Sequence, residues 1–200
     1  MSAVAPPVAP PVASSAAGVQ GTAGGLSLLE GEPAVLGIAE GQVLLSTVER
    51  GFDALLVSGD NRLDAYGLLA HARARGVEDA LADGLVVARA FTVHQLAALV
   101  EETLPRMARE RPRAGVAVVA GLLEPFRDED VRPAEARTLL RRVLRSLSAW
   151  SEAAGVPAVA TLTPGPYLDV ARDARLPVRR VAPAPRSAWT LDRFAAAEAG

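Results

Sequence analysis

From Leu26 onward the apolar positions of the chain alternate between two rhythms. Short runs rich in β-branched and aliphatic residues occur at Leu26–Leu29, Ala54–Ser58, Leu85–Arg89, Val116–Ala120 and Val156–Thr161, with a further candidate at Val178–Val181. Between them lie stretches with helical spacing. Strands separated by helices of crossover length predict a mostly parallel twisted sheet with helices on both faces, an α/β fold.

The helices carry local signals as well. Glu40–Arg50 and Ala65–Arg75 are predicted helical, the second stopped by Gly76 in a left-handed C′ position. Val93–Arg109 opens with Thr92 and Gln95 at capping-box spacing, and Pro105 is expected to kink or shorten it. Pro133 suits a first helical position, and the helix it starts runs to Ala154, before Gly155. Ala136, Leu139, Leu140, Val143, Leu144, Leu147 and Trp150 recur every three or four residues and predict one apolar stripe facing the sheet. A last helix is expected from about Leu191, with Thr190 as its cap.

Residues 1–25 have neither rhythm. Their Ala, Pro, Val, Ser and Gly composition predicts a disordered tail, followed by one core domain over 26–182 and a C-terminal extension over 183–200. At 200 residues, half of them hydrophobic, the chain is long enough for one sizeable core. No stretch reads as a secretory signal or a membrane span, so a soluble cytoplasmic protein is expected. Cysteine is absent, which removes disulfides, thiolate metal sites and thiol nucleophiles together, and two histidines make a metal site unexpected. All basic residues are arginine. A net charge of −2 offers no overall electrostatic footprint for nucleic acid.

Four blocks, in order, resemble the core of the RecA-like recombinases, especially the RadA-type branch and its short RadB-like paralogues. They are LSLLEGEP (Leu26–Pro33), ALLVSGDNRLDAYGLL (Ala54–Leu69), ARAFTVHQL (Ala88–Leu96) and AVVAGLLEPFR (Ala117–Arg127), the last followed by a long helix and AVATLTP. The third is the most specific, since an Ala-Arg-Ala-Phe run leading to His-Gln has no generic structural reason to occur. The resemblance implies a RecA-like fold with a phosphate-binding loop after the first strand, a Walker B strand ending near Ala120, and a catalytic carboxylate at Asp60.

Against that pattern the chemistry is missing. A phosphate-binding loop needs G-x-x-x-x-G-K-[ST], because lysine neutralises the β- and γ-phosphates and the hydroxyl holds magnesium. From Gly31 this chain reads GEPAVLGI: Leu36 replaces the glycine, Gly37 the lysine and Ile38 the hydroxyl residue. Ala120 replaces the Walker B aspartate, Asp60 is one methylene shorter than the family's glutamate, and Leu162 and Thr163 replace the γ-phosphate-sensing pair. Hydrolysis is therefore not expected. Gly31, Glu32, Pro33 and Asp60 remain as candidates for a degenerate nucleotide crevice, with ATP possible there but not expected as a cofactor.

The resemblance implies a non-catalytic paralogue that acts through a protein partner, as an accessory of DNA recombination or repair. The alternative is a regulator that binds ATP without hydrolysing it. Direct DNA binding is doubtful, because the first loop that would face DNA, Arg127–Arg137, opens with three acidic residues at 128–130 and the second shrinks to Pro164–Pro166. Arg172, Arg175, Arg179 and Arg180, with Arg186, form the better candidate for a phosphate or partner surface, whereas Arg137, Arg141, Arg142 and Arg145 read as a solvated helix face. Arg89 and His94 are expected as structural residues, an arginine buried along its stem and a hydrogen-bonded core histidine. Ser27, Ser46 or Ser58 with His71 or His94 offer the residue types of a hydrolase triad, but no G-x-S-x-G elbow accompanies them. Phe194–Ala197 reads FAAA, a match to the family's Phe-x-x-Ala assembly motif of the kind chance also supplies.

Overall fold

A chain that returns through helices to the same end of a sheet must lay its strands parallel, and every strand pairing here is parallel. The structure, a computed structural model, describes residues 24–60, 62–127 and 131–181. Its strands are β1 (Leu26–Glu30), β2 (Asp53–Ser58), β3 (Leu85–Arg89), β4 (Ala114–Ala120), β5 (Ala158–Leu162) and β6 (Val178–Arg180). They form one six-stranded sheet in the order β3-β2-β4-β5-β1-β6. The helices are α1 (Pro33–Glu49), α2 (Ala65–Ala74), α3 (Glu78–Gly84), α4 (Val93–Ala98), α5 (Leu104–Glu110), α6 (Pro133–Ala154) and α7 (Leu168–Asp173).

Alternation of side chains along the strands divides the core in two. Leu28, Leu55, Val57, Val119 and Ala160 face one layer with α4, α5, α6 and α7. Leu29, Leu56, Val116, Val118 and Val159 face the other, built on α1, α2 and α3. The fold is thus a parallel sheet covered on both faces. The predicted stripe of α6 packs as expected, with Ala136, Leu140, Val143, Leu144 and Leu147 at most 1% exposed and Gly155 capping it at φ 66°.

The structure departs from expectation in four respects. First, α1 begins at Pro33 and not at Glu40, absorbing the segment read as a loop. Second, β5 starts at Ala158, just after Pro157, which has no N–H to give a ladder. Third, α3 and α7 are single short helices of 7 and 6 residues, too brief to show a hydrophobic period.

Fourth, the helix carrying Pro105 is not broken. It widens instead into a π-helical turn, Leu99–Thr103, in which Leu104 N–H reaches back to the Leu99 carbonyl. The wider turn makes room for the proline ring, and α5 continues. Glu101 projects from that turn to pair with Arg142 of α6, its Oε1 accepting from Nε at 2.6 Å. Among the described residues no helix is long and apolar enough to cross a membrane. Residues 1–23 of the expected tail, the helix from Leu191, Arg186 and the FAAA segment lie outside the described residues, as do Asp128–Asp130, whereas Gly25 joins the sheet by accepting the Ala158 N–H.

Candidate functional site

In a parallel α/β sheet the helix N-termini and the loops that vary in sequence gather at the carboxyl ends of the strands, and the candidate residues from the sequence gather there too. Between β1 and α1 only Gly31 and Glu32 intervene. Gly31 N–H donates to the Leu162 carbonyl at 3.1 Å, and a β-carbon at Gly31 would meet the Val181 carbonyl oxygen at 3.0 Å, so the turn is pressed against β5 and the residue after β6. Glu32 is the N-cap residue and accepts the N–H groups of Val35 and Leu36 through its carbonyl, both at 3.0 Å. Pro33 takes the first helical position, where its missing N–H costs nothing.

Leu36, Gly37 and Ile38, which depart from the phosphate-loop pattern, are consequently helical. Leu36 is buried at 2% exposure and lies against Gly31, while Gly37 and Ile38 face outward, Ile38 at 47% exposure. Amides that an open glycine loop would turn toward a phosphate are here committed along the helix. Ala120 is likewise a core residue, packed on the α1 side of the sheet.

Beside this turn, the ends of β2, β4 and β5 hold a polar network that sequence reasoning mostly missed. Thr161 Oγ1 accepts Gly121 N–H at 2.8 Å and so donates its own proton to Glu40 Oε1, 2.6 Å away. Burial, followed by the nearby Asp60 charge and against the opposing Thr161 hydrogen bond, pushes the Glu40 carboxyl up to about 7. Asp60 also sits above the usual carboxylate range, chiefly through burial and against the attraction of Arg62. Gly121 must be glycine, since at φ 62° its missing β-carbon would fall 2.5 Å from the Asp60 carboxyl carbon.

A second chain of bonds lies alongside. Arg127 donates to Thr163 Oγ1 at 2.7 Å and to the Pro164 carbonyl at 2.9 Å, and Thr163 donates onward to Glu124 Oε1 at 2.5 Å. Glu124 also faces Arg127 at 3.3 Å and Arg62 at 3.6 Å. Of these groups only Asp60 and Thr163 were marked from sequence. Glu124 and Arg127 close the fourth block but carried no role there, and Glu40, inside α1, belongs to no block. Among the described residues no group of three or more His, Asp and Glu side chains is placed to hold a metal ion.

The remaining candidates separate. Arg172 is committed to Glu30 at the end of β1 through contacts of 2.6, 2.8 and 3.1 Å, and Arg180 approaches the same carboxylate at 3.4 Å. Two arginines of the expected phosphate surface are therefore neutralised by one buried acid, while Arg175 and Arg179 are exposed. His94 is not a core histidine: its side chain is 67% exposed, with Glu135 at 3.7 Å. Arg89 is exposed as well. Arg137 stacks over Tyr167, 5.6 Å from the ring centre. The serines and histidines do not assemble, since Ser46 and Ser58 donate to the carbonyls of Val43 and Asp60, and His71 bonds the Gly67 carbonyl.

A different surface emerges at the sheet's edge. Among the described residues β3 pairs only with β2, leaving its outer edge open. Beside that edge, β3 and the helices α2 and α3 line a groove of about 470 Å³, with Leu63, Leu68, Leu69, Leu81, Val87 and Arg89 in its walls. Val87 is 39% exposed, and Phe91, just past the strand, 68%. Of the groove's β3 lining, Arg89 alone falls within the third block, while Leu85 and Val87 precede it. No protein-family model matches the chain, and no curated protein matches it in sequence.

Proposed function

We propose that this chain is a non-catalytic RecA-like paralogue that binds a protein partner at the β3 edge, as an accessory of DNA recombination or repair. The observation that carries partner binding is the apolar groove beside an unpaired strand edge. An edge strand offers backbone donors and acceptors to an extended peptide, and an adjoining pocket selects one of its apolar side chains. The resemblance adds that such proteins assemble by inserting the phenylalanine of a Phe-x-x-Ala segment into a neighbouring core. A groove walled by Leu68, Leu69, Leu81 and Val87 suits an aromatic ring of that kind. The recombination role rests on the four sequence blocks alone.

The reading requires no hydrolysis. Leu36, Gly37 and Ile38 wound into α1, with Ala120 in the core, leave neither a phosphate cradle nor a magnesium ligand at the family's positions. Titration of a fluorescent Phe-x-x-Ala peptide tests the docking surface. Saturable binding that weakens at least about tenfold in Val87→Glu, and when the peptide's phenylalanine becomes alanine, is the expected result. Equal affinity in Val87→Glu, or no binding at millimolar peptide, would contradict it. Retention of a RecA-type recombinase by the immobilised wild-type chain and its loss in the same variant is the expectation for the pathway. Failure of the wild type to retain it would remove the recombination assignment.

A further inference from the structure

Among the described residues β3 pairs only with β2, and the edge it leaves open has a definite polarity. Ala90 N–H donates inward to the Ser58 carbonyl at 2.8 Å, so alternation along the strand turns the Val87 N–H and C=O outward. The same alternation sends Val86 and Ala88 to the core layer of α4–α7 and leaves Leu85 and Val87 in the groove wall. Phe91, two positions past Arg89 on the groove side, is 68% exposed. The ladder with β2 runs without a register shift and β3 contains no proline, so neither a bulge nor a proline blunts the edge.

Charge and apolar surface are unequal at the two ends of this edge. Before β3, the short helix α3 carries Asp79 and Asp83 in exposed positions, and Leu81, Ala82 and Leu85 form the groove wall there. At the far end stand exposed Arg89 and Phe91. A second β3 laid parallel to the first would set acid beside acid and Phe91 beside Phe91. Laid antiparallel, it sets the acidic start of each strand against the basic end of the other. With a two-fold axis at Val87 and normal to the sheet, Leu85 of each copy faces Arg89 of the other, Phe91 comes beside Asp83, and both groove faces stay on one side.

We propose that a second copy of this chain covers the β3 edge, in an antiparallel two-fold pair centred on Val87. The two Val87 residues exchange N–H···O=C bonds across the axis and join the two sheets into one. Phe91 of each copy enters the other's groove beside Leu81 and Leu85, and Arg89 of each approaches Asp83 of the other. Every contact is made twice, so one face serves both copies. The pairing rests on the β3 edge being the docking surface, and it names what covers that edge until another partner displaces it.

Sedimentation equilibrium of the full chain, followed from micromolar to millimolar concentration, reads the pair directly. A reversible monomer–dimer equilibrium is expected. Val87→Glu and Val87→Lys each weaken it at least about tenfold, because two like charges meet at the axis, and a one-to-one mixture of the two variants restores it as a heterodimer. Phe91→Ala, at an exposed position, weakens it at least about tenfold as well. A wild type that stays monomeric at millimolar concentration, a dimer unaffected by either charge at Val87, a mixture that does not recover, or unchanged association in Phe91→Ala overturns the pairing. Saturating Phe-x-x-Ala peptide is expected to dissociate the dimer, and a dimer that keeps its affinity with peptide bound overturns the placement of Phe91 in the groove. A chain that binds the peptide but never dimerises loses this proposal alone. One that dimerises through Val87 but binds no peptide loses the peptide reading alone.

Discussion

Leu36 decides more than any other single residue, because a leucine where a glycine would open a loop turns toward the core instead. Its truncation to alanine is expected to cost about 2–5 kcal/mol, measured by urea unfolding, with no change in nucleotide affinity. Rebuilding the motif by Leu36→Gly, Gly37→Lys and Ile38→Thr is expected to destabilise the chain without creating tight ATP binding, because α1 still starts at Pro33 and Ala120 still offers no oxygen. Glu40 makes the opposite kind of prediction. Its folded pKa of about 7 lies above the ordinary 4.5, so the native state keeps a proton that the unfolded chain releases. That contribution is whole below about pH 4.5, is lost as pH rises through 7, and is bounded at about 3 kcal/mol. A melting temperature that drops between pH 5 and 8 in the wild type, and drops less in Glu40→Gln, is the expected outcome; parallel curves would contradict it.

At the scale of elements, what could be read in advance were the segments with a strong period. The α6 stripe, the parallel strands and the cap at Thr92 all follow from spacing, although Gln95 closes its side of that cap on Phe91 N–H and not on Thr92. The start of α1 is hidden in the sequence, because the resemblance at Gly31–Pro33 argues for a loop while the proline at a helical first position argues for a helix, and the Glu32 carbonyl accepts the first helical N–H groups. Pro105 misled in the same way, since a π-turn costs less than losing the packing of Leu104 and Met107. The polar network at Glu40, Thr161 and Gly121 joins residues far apart in the chain, and no spacing rule reports it. For α6, Leu140→Ala should cost about 2–5 kcal/mol, since Leu140 has no exposed surface to relax into. Val87→Glu on the open edge should change stability by about 0.5 kcal/mol or less while weakening the proposed peptide docking at least about tenfold.

The whole molecule places its polar network and its groove on adjoining regions of one α/β sandwich. The carboxyl ends of β2, β4 and β5 are filled by Glu40, Asp60, Glu124 and their partners, while the open edge of β3 carries the apolar surface. At the end of β1, Glu30 balances the charges of Arg172 and Arg180. A parallel α/β sheet can present a shaped edge to another protein whatever chemistry its crevice holds. The proposed non-catalytic role requires that the crevice at the strand ends bind no nucleotide. Calorimetric titration of the full chain with ATP and magnesium tests it most directly: the account predicts no saturable heat up to millimolar ATP, and micromolar binding that disappears in Asp60→Ala would contradict it.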